Sequence, residues 1–135
     1  MTYFDTDVLV NAAIEQNPTK YVQANQIIEQ ATLDNTFRIS WLSIQELGFV
    51  LAKLKESKVL INASLKQLMA SLPLAYHNKA TFVRAIELAN EIGFSDFNDC
   101  LHVAIAEEFC TELYTYNSRD FGKIQPLTSL TIHIL

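Results

Sequence analysis

Strand-like and helix-like segments alternate along this 135-residue chain, which predicts an α/β layer structure around a mostly parallel sheet. Two further observations agree. The opening run is apolar enough for a strand covered on both faces, and several later segments repeat apolar residues at helical spacing. Half the residues are apolar and 19% are charged, with three Gly and three Pro, so the chain can bury a core and is neither disordered nor a coiled coil.

Taken in order, Thr2 to Val10 reads as a buried first strand whose polar residues, Asp5, Thr6 and Asp7, fall towards its end. Asn17-Pro18 starts a helix, with Asn as the cap and Pro at the first helical position. Tyr21, Ala24, Ile28 and Ala31 carry that helix to about Leu33. Phe37 to Trp41 is a short β-rich run. Ile44, Leu47, Leu51 and Leu54 then repeat at intervals of 3, 4 and 3, the stripe of an amphipathic helix with Glu46 beside it. Val59 to Leu72 continues helical until Pro73, and Leu74 to Tyr76 fits a very short third strand. From Asn78 a further helix places Phe82, Val83, Ile86 and Ala89 on one face and ends at Gly93. Ser95 or Asp96 caps the next, which buries Leu101, Ala104, Ile105 and Phe109. Leu113 to Tyr116 and Leu130 to Leu135 read as the last strands. No linker, internal repeat or low-complexity stretch interrupts the series.

Composition also excludes functions. Ten Lys and Arg against 15 Asp and Glu leave a net charge of −5, so non-specific affinity for nucleic acid is expected to be weak. No stretch approaches the roughly 20 apolar residues of a membrane span, and the N-terminus shows no export signal, so a cytoplasmic protein without membrane contact is expected. Cys100 and Cys110 fall in one predicted helix roughly 15 Å apart, too far for a disulfide, and read as small buried thiols. Gly48, Gly93 and Gly122 are too scattered for a dinucleotide-binding turn, a phosphate loop or a serine nucleophile elbow.

In open parallel sheets, ligands sit beyond the carboxyl ends of the strands. The acids gather at such places: Asp5 after the first strand's entry, Glu46 after the second, Asp96 and Asp99 at a helix start, and Asp120 with Asn117 after the Leu113 to Tyr116 strand. Carboxylates converging without matching Lys or Arg repel one another unless a hard cation such as Mg²⁺ or Mn²⁺ neutralises them. Phosphodiester hydrolysis by a metal-activated water is the natural chemistry for such a site.

Structural roles compete for several of these residues. Ser43-Ile44-Gln45-Glu46 fits a capping box, which would explain Glu46 without chemistry. Asp96 suits a helix cap, whereas Asp99, three residues on, gains little from capping. His102 shares the face of Asp99, yet a lone helical histidine is usually structural or solvent-facing, and His102→Ala is expected to retain most activity. Lys53, Lys55, Lys58 and Lys66 offer a basic patch for an RNA backbone, although such lysines more often solvate a helix. Tyr114 and Tyr116 alternate as strand residues do, which makes base stacking the lesser role.

The chain also resembles the PIN domain family, and within it the VapC-type ribonuclease toxins of bacterial toxin and antitoxin pairs. The resemblance rests on Tyr3-Phe4-Asp5-Thr6-Asp7-Val8-Leu9, on Gln45-Glu46-Leu47, on Asp96-Phe97-Asn98-Asp99-Cys100-Leu101-His102 and on Leu113-Tyr114-Thr115-Tyr116-Asn117-Ser118-Arg119-Asp120-Phe121. It implies a single PIN-like domain over residues 1–135, with a sheet of four to five strands flanked by helices. It further implies that Asp5, Glu46 and Asp99 hold Mg²⁺ or Mn²⁺ and its attacking water, with Asp96 as a further acid and Thr6 supporting the loop. Asn117 stands where the family often has a fourth acid; Asp120, three residues on, either compensates or caps the following turn. An RNA substrate, an antitoxin protein and a homodimer follow from the same resemblance.

Two other functions fit. Asp5-Thr6-Asp7-Val8-Leu9 matches the opening of haloacid-dehalogenase-like phosphatases, with Asp5 as nucleophile, but the later Gly-Asp-rich metal loop is missing and the chain is short for that fold. The other is a catalytically weak PIN-like module that binds RNA or protein, an option opened by Asn117.

Overall fold

The computed structural model describes residues 1–71 and 73–135. Among them, one sheet of four parallel strands runs in the order β2-β1-β3-β4, where β1 is Thr2–Phe4, β2 Phe37–Arg38, β3 Glu112–Thr115 and β4 Thr131–Ile134. Seven α-helices flank it: α1 Thr6–Ala13, α2 Pro18–Leu33, α3 Trp41–Lys53, α4 Lys58–Ser71, α5 Lys79–Ile92, α6 Phe97–Phe109 and α7 Ser118–Ile124. The described residues adopt the expected α/β architecture, and of the expected mostly parallel sheet of four to five strands they form four, all parallel.

Side chains alternate across β1, so Tyr3 and Phe4 enter different layers. Tyr3 joins a core with Leu88, Leu101, Ile105, Leu113 and Phe121, beneath α5, α6 and α7. Phe4 joins Val8, Leu9, Phe37, Ile39, Leu47 and Leu51, beneath α1 to α4. The chain leaves β1 towards β2 on one side and later crosses to β3 on the other. The residues after β1 and β3 therefore flank a crevice at the carboxyl end of the sheet, where such folds bind ligands.

Several elements differ from their sequence expectation. The first strand stops at Phe4, and Thr6 to Val10 are helical. An apolar run buried on all sides has the same pattern in strand or helix, and the turn is made by Asp5, whose Oδ1 accepts from the Thr6 amide at 2.7 Å and so starts α1. The β-rich run at Phe37 yields two strand residues, after which Ser40 caps α3 and Trp41 opens it. Its capping box pairs Ser40 with Ser43, not Ser43 with Glu46. Leu74 to Tyr76 form no strand; Ala75 makes one isolated parallel bridge to Ser40. The expected end of α4 at Leu72 lies outside the described residues. On α5 the packed face is Thr81, Ala85, Leu88 and Ala89, while Phe82, Val83 and Ile86 are exposed. Small alanines let α5 pack closely on α6, and that contact overrides the bulkier apolar stripe. Cys100 is buried, whereas Cys110 lies just past the end of α6 and is half-buried; both are free thiols. No helix among the described residues is long and apolar enough to cross a membrane.

Candidate active site

The crevice between the β1 and β3 ends is a cavity of about 270 Å³ lined by Asp5, Thr6, Asp7, Val10, Asn11, Glu46, Val50, Asp99 and Asn117. Four chain segments contribute. Asp5 ends β1 and caps α1, Glu46 sits in the second turn of α3, Asp99 in the first turn of α6, and Asn117 caps α7.

Asp5 is nearly enclosed and doubly anchored. Its Oδ1 accepts from the Thr6 amide, and its Oδ2 accepts from the Thr115 hydroxyl at 2.9 Å. Burial pushes its pKa above the usual carboxylate range, against the opposing pull of His102, Thr115 and Thr6. Asp7 receives the Tyr116 amide at 3.0 Å and Thr115 Oγ1 at 3.3 Å on Oδ2, while its buried Oδ1 has no partner. Burial and the neighbouring Asp5 raise it to about 7.

Asp99 is raised further, to about 8, by burial and then by Asp5, with Asp120 and Glu46 adding to the repulsion. Asn117 Nδ2 donates to Asp99 Oδ2 at 3.3 Å and to Asp120 Oδ2 at 2.9 Å, and Asn117 Oδ1 accepts from the Asp120 amide at 3.2 Å. Asp96 stands at the cap position of α6 but makes no capping hydrogen bond with its side chain. Its carboxylate instead converges with those of Asp99 and Asp120, one oxygen of each lying within 4.8 Å of the others. The exposed Arg119 guanidinium, 3.0 Å from Asp120 and 3.8 Å from Asp96, holds Asp120 below the usual carboxylate range.

Glu46 meets donors from three residues. Oε1 accepts from Thr6 Oγ1 at 3.0 Å and pairs with His102 Nε2, and Oε2 accepts from Asn98 Nδ2 at 3.2 Å. Burial opposes ionisation, but those donors, led by His102, hold Glu46 below its ordinary value. His102 is 1% exposed and is therefore not solvent-facing; its position at the site was discounted in the sequence. The signal was its spacing, three residues after Asp99 on one helical face. Thr115 and Asn98 lie within the motifs quoted above but have no role legible there, since an isolated hydroxyl or amide carries no mark of the carboxylate it will meet. Lys53, Lys55 and Lys58 are exposed at the corner between α3 and α4 and do not line the cavity, although Lys53 follows the lining residue Val50 by one turn. Tyr114 stacks on Phe4 and His133, and Tyr116 donates to Gln23 and the Lys20 carbonyl, so both rings are engaged within the fold.

The donor set fits a hard divalent cation. Hard carboxylate oxygens meet in one cleft, Asp99 and Asp7 are forced towards their neutral forms by burial and by Asp5, and a buried oxygen of Asp7 is left unpartnered. Asp5, Glu46 and Asp99 bring acidic oxygens from three separate elements, while Asn117 turns its Nδ2 to Asp99 and uses its Oδ1 to cap α7.

Comparison with known proteins gives concordant results for the fold. The sequence pattern of the PIN domain family matches residues 2–125. No match is found among curated protein sequences. Among solved structures, a chain of the VapBC2 complex from Rickettsia felis, determined with a DNA fragment from its promoter, superposes with a TM-score of 0.70. The alignment covers 100% of this chain and 99% of that one at 22% identity.

Proposed function

The chain belongs to the PIN domain family, and from that premise we propose that it is a divalent-metal-dependent endoribonuclease of the VapC type, the toxin of a toxin and antitoxin pair. The observation that carries this reading is the convergence of Asp5, Glu46 and Asp99 in one cleft at the carboxyl end of the sheet. In this reading these three residues hold Mg²⁺ or Mn²⁺, which supplies a nucleophile from water at neutral pH and stabilises charge on a phosphodiester under in-line attack. The protein's own part is preorganisation. Thr6 and Thr115 fix Asp5, the Asn117 amide restrains Asp99, and Thr6 and Asn98 restrain Glu46. Asp96 and Asp120 extend the acidic surface beside Asp99, balanced in part by Arg119.

RNA would reach the cleft past Lys53, Lys55 and Lys58, the exposed cations nearest in sequence to Val50 at its rim. An antitoxin is the proposed protein partner. A second groove of about 310 Å³, where Leu9, Ala12, Ile28 and Leu47 meet the polar Asn25, Ser64 and Gln67, offers it a seat of mixed character. The exposed Phe82, Val83, Ile86 and Phe94 supply apolar surface for a homodimer. We further propose that residues 1–135 act as one PIN-like unit in the cytoplasm.

The test is cleavage of a labelled structured RNA pool with Mg²⁺, with Mn²⁺ and with chelator, beside Asp5→Asn prepared identically. Metal-dependent cutting that Asp5→Asn lacks is expected. No cutting in any condition favours the catalytically weak binding module, the reading that Asn117 in place of a fourth acid supports. Hydrolysis of small phosphomonoesters in its stead would revive Asp5 as a phosphatase nucleophile.

A further inference from the structure

Building on the metal-dependent reading above, we infer that His102 is a positioning residue: tethered through Tyr3, its imidazole orients Glu46 within the acidic cleft. His102 Nδ1 lies 2.7 Å from the Tyr3 hydroxyl, and Nε2 pairs with Glu46 Oε1. The Tyr3 oxygen is itself 2.7 Å from Ser40 Oγ and 3.2 Å from Ser43 Oγ. Those two serines are the capping box of α3, the helix that carries Glu46 one turn later. The path therefore closes on itself: from the start of α3 to β1 through Tyr3, to α6 through His102, and back to α3 at Glu46.

One hydrogen-bond assignment satisfies every group. Nε2–H donates to Glu46, Nδ1–H of the charged ring donates to the Tyr3 oxygen, and the Tyr3 hydroxyl donates to a serine. Tyr3, Ser40 and Ser43 are fully buried, so the imidazole is held by groups that have no competing water.

Glu46 is the acid that needs such a hold. Asp5 is short, enclosed and fixed by the backbone, whereas Glu46 is a longer side chain, 25% exposed, which loses more rotamer freedom when fixed. Asn98, its amide donor, is exposed. The edge of the His102 ring also faces Thr6 Oγ1 at 3.4 Å and Asp5 Oδ1 at 3.7 Å, which puts Nε2 at the wall of the cleft instead of in the apolar core behind it.

The experiment compares Mn²⁺ affinity by titration calorimetry in the unaltered protein, His102→Ala, His102→Gln and Tyr3→Phe, with thermal unfolding in chelator recorded for each. His102→Ala is expected to weaken Mn²⁺ binding by roughly 10–100-fold, the usual effect of removing a group that orients a ligand. His102→Gln, whose side-chain amide reaches the Nε2 position, should recover most of that affinity, and Tyr3→Phe should fall between. RNA cleavage by His102→Ala should recover in part at high Mn²⁺. Unchanged Mn²⁺ affinity in a folded His102→Ala, or equal losses in Ala and Gln, would overturn the inference and leave His102 as packing. Should His102→Ala fail to unfold cooperatively, Tyr3→Phe decides, because it removes a single oxygen; unchanged affinity there overturns the inference. An unaltered protein that binds no Mn²⁺ overturns the metal reading and this inference with it. Mn²⁺ binding without RNA cleavage overturns only the nuclease reading, and the affinities still decide the role of His102.

Discussion

At the scale of single residues, the acids of the cleft work against the fold that carries them. Burial and repulsion by Asp5 raise Asp99 to about 8, so folding opposes its ionisation, and replacing the carboxyl lifts that cost while removing a proposed metal ligand. Asp99→Asn is expected to lower RNA cleavage by about 100-fold or more, yet to raise the melting temperature in chelator; both are read by gel assay and circular dichroism. A fully active Asp99→Asn would contradict the assignment. Thr115 has the opposite character. Its hydroxyl donates to Asp5 and accepts from the Asn117 backbone N–H at 3.0 Å, so Thr115→Val should destabilise the protein by about 1–3 kcal/mol in chemical denaturation, besides loosening Asp5. Asn117→Asp restores a fourth acid and keeps an oxygen to cap α7, but loses the amide donor to Asp99 and Asp120. Tighter Mn²⁺ binding and a lower melting temperature in chelator are expected together. Unchanged Mn²⁺ affinity would place Asn117 outside the metal's reach.

At the scale of elements, caps decide where each acid stands. Asp5 is at once the end of β1 and the cap of α1, Ser40 sets the start of α3 and so the turn on which Glu46 falls, and Asn117 starts α7. Helix starts were legible where the signal is local. Asn17-Pro18 and Asn78 begin α2 and α5 as expected, because the capping side chain and the amide it accepts from are three residues apart in sequence. Gly93 ends α5 at φ 108°, a conformation that penalises any side chain. Gly93→Ala should therefore cost about 1–3 kcal/mol, measurable by urea unfolding, although nothing crowds the position. The faces of helices were less legible. The stripe Phe82, Val83, Ile86 on α5 has helical period, but which stripe faces α6 depends on how closely two backbones approach, and that is set by Ala85 and Ala89.

At the scale of the whole molecule, the pH dependence of stability reports the balance of these charges. Asp99 and Asp7 keep their protons to about 8 and about 7 in the folded protein, whereas unfolded carboxyls lose them near pH ~4. Between those values the folded state binds more protons, so stability falls as pH rises through the window. His102 acts in the same sense. Burial disfavours its cation, but Tyr3, Glu46 and Asp5 around the ring hold its pKa well above the usual histidine range. Glu46 acts oppositely, with a lowered value whose effect is complete below the window. In chelator, the melting temperature should thus drop by roughly 5 °C or more from pH 5 to pH 8, and Mg²⁺ or Mn²⁺ should restore it most at the higher pH. A melting temperature that rises with pH in chelator would contradict the raised values of Asp99 and Asp7.

Periodicity, caps and turn residues act over a few neighbours, and they make the α/β class, the parallel sheet, most helix starts and the four acidic segments legible along the chain. Tertiary structure alone decided that Val8 to Val10 are helical, that Asp96 turns towards Asp99 and Asp120 instead of capping α6, and that His102 faces Glu46. The last two depend on partners far along the chain: Arg119 for Asp96, and Tyr3 with Ser40 and Ser43 for His102. A buried polar group takes the partner that three-dimensional packing brings within hydrogen-bond reach, and no local pattern records which one that will be.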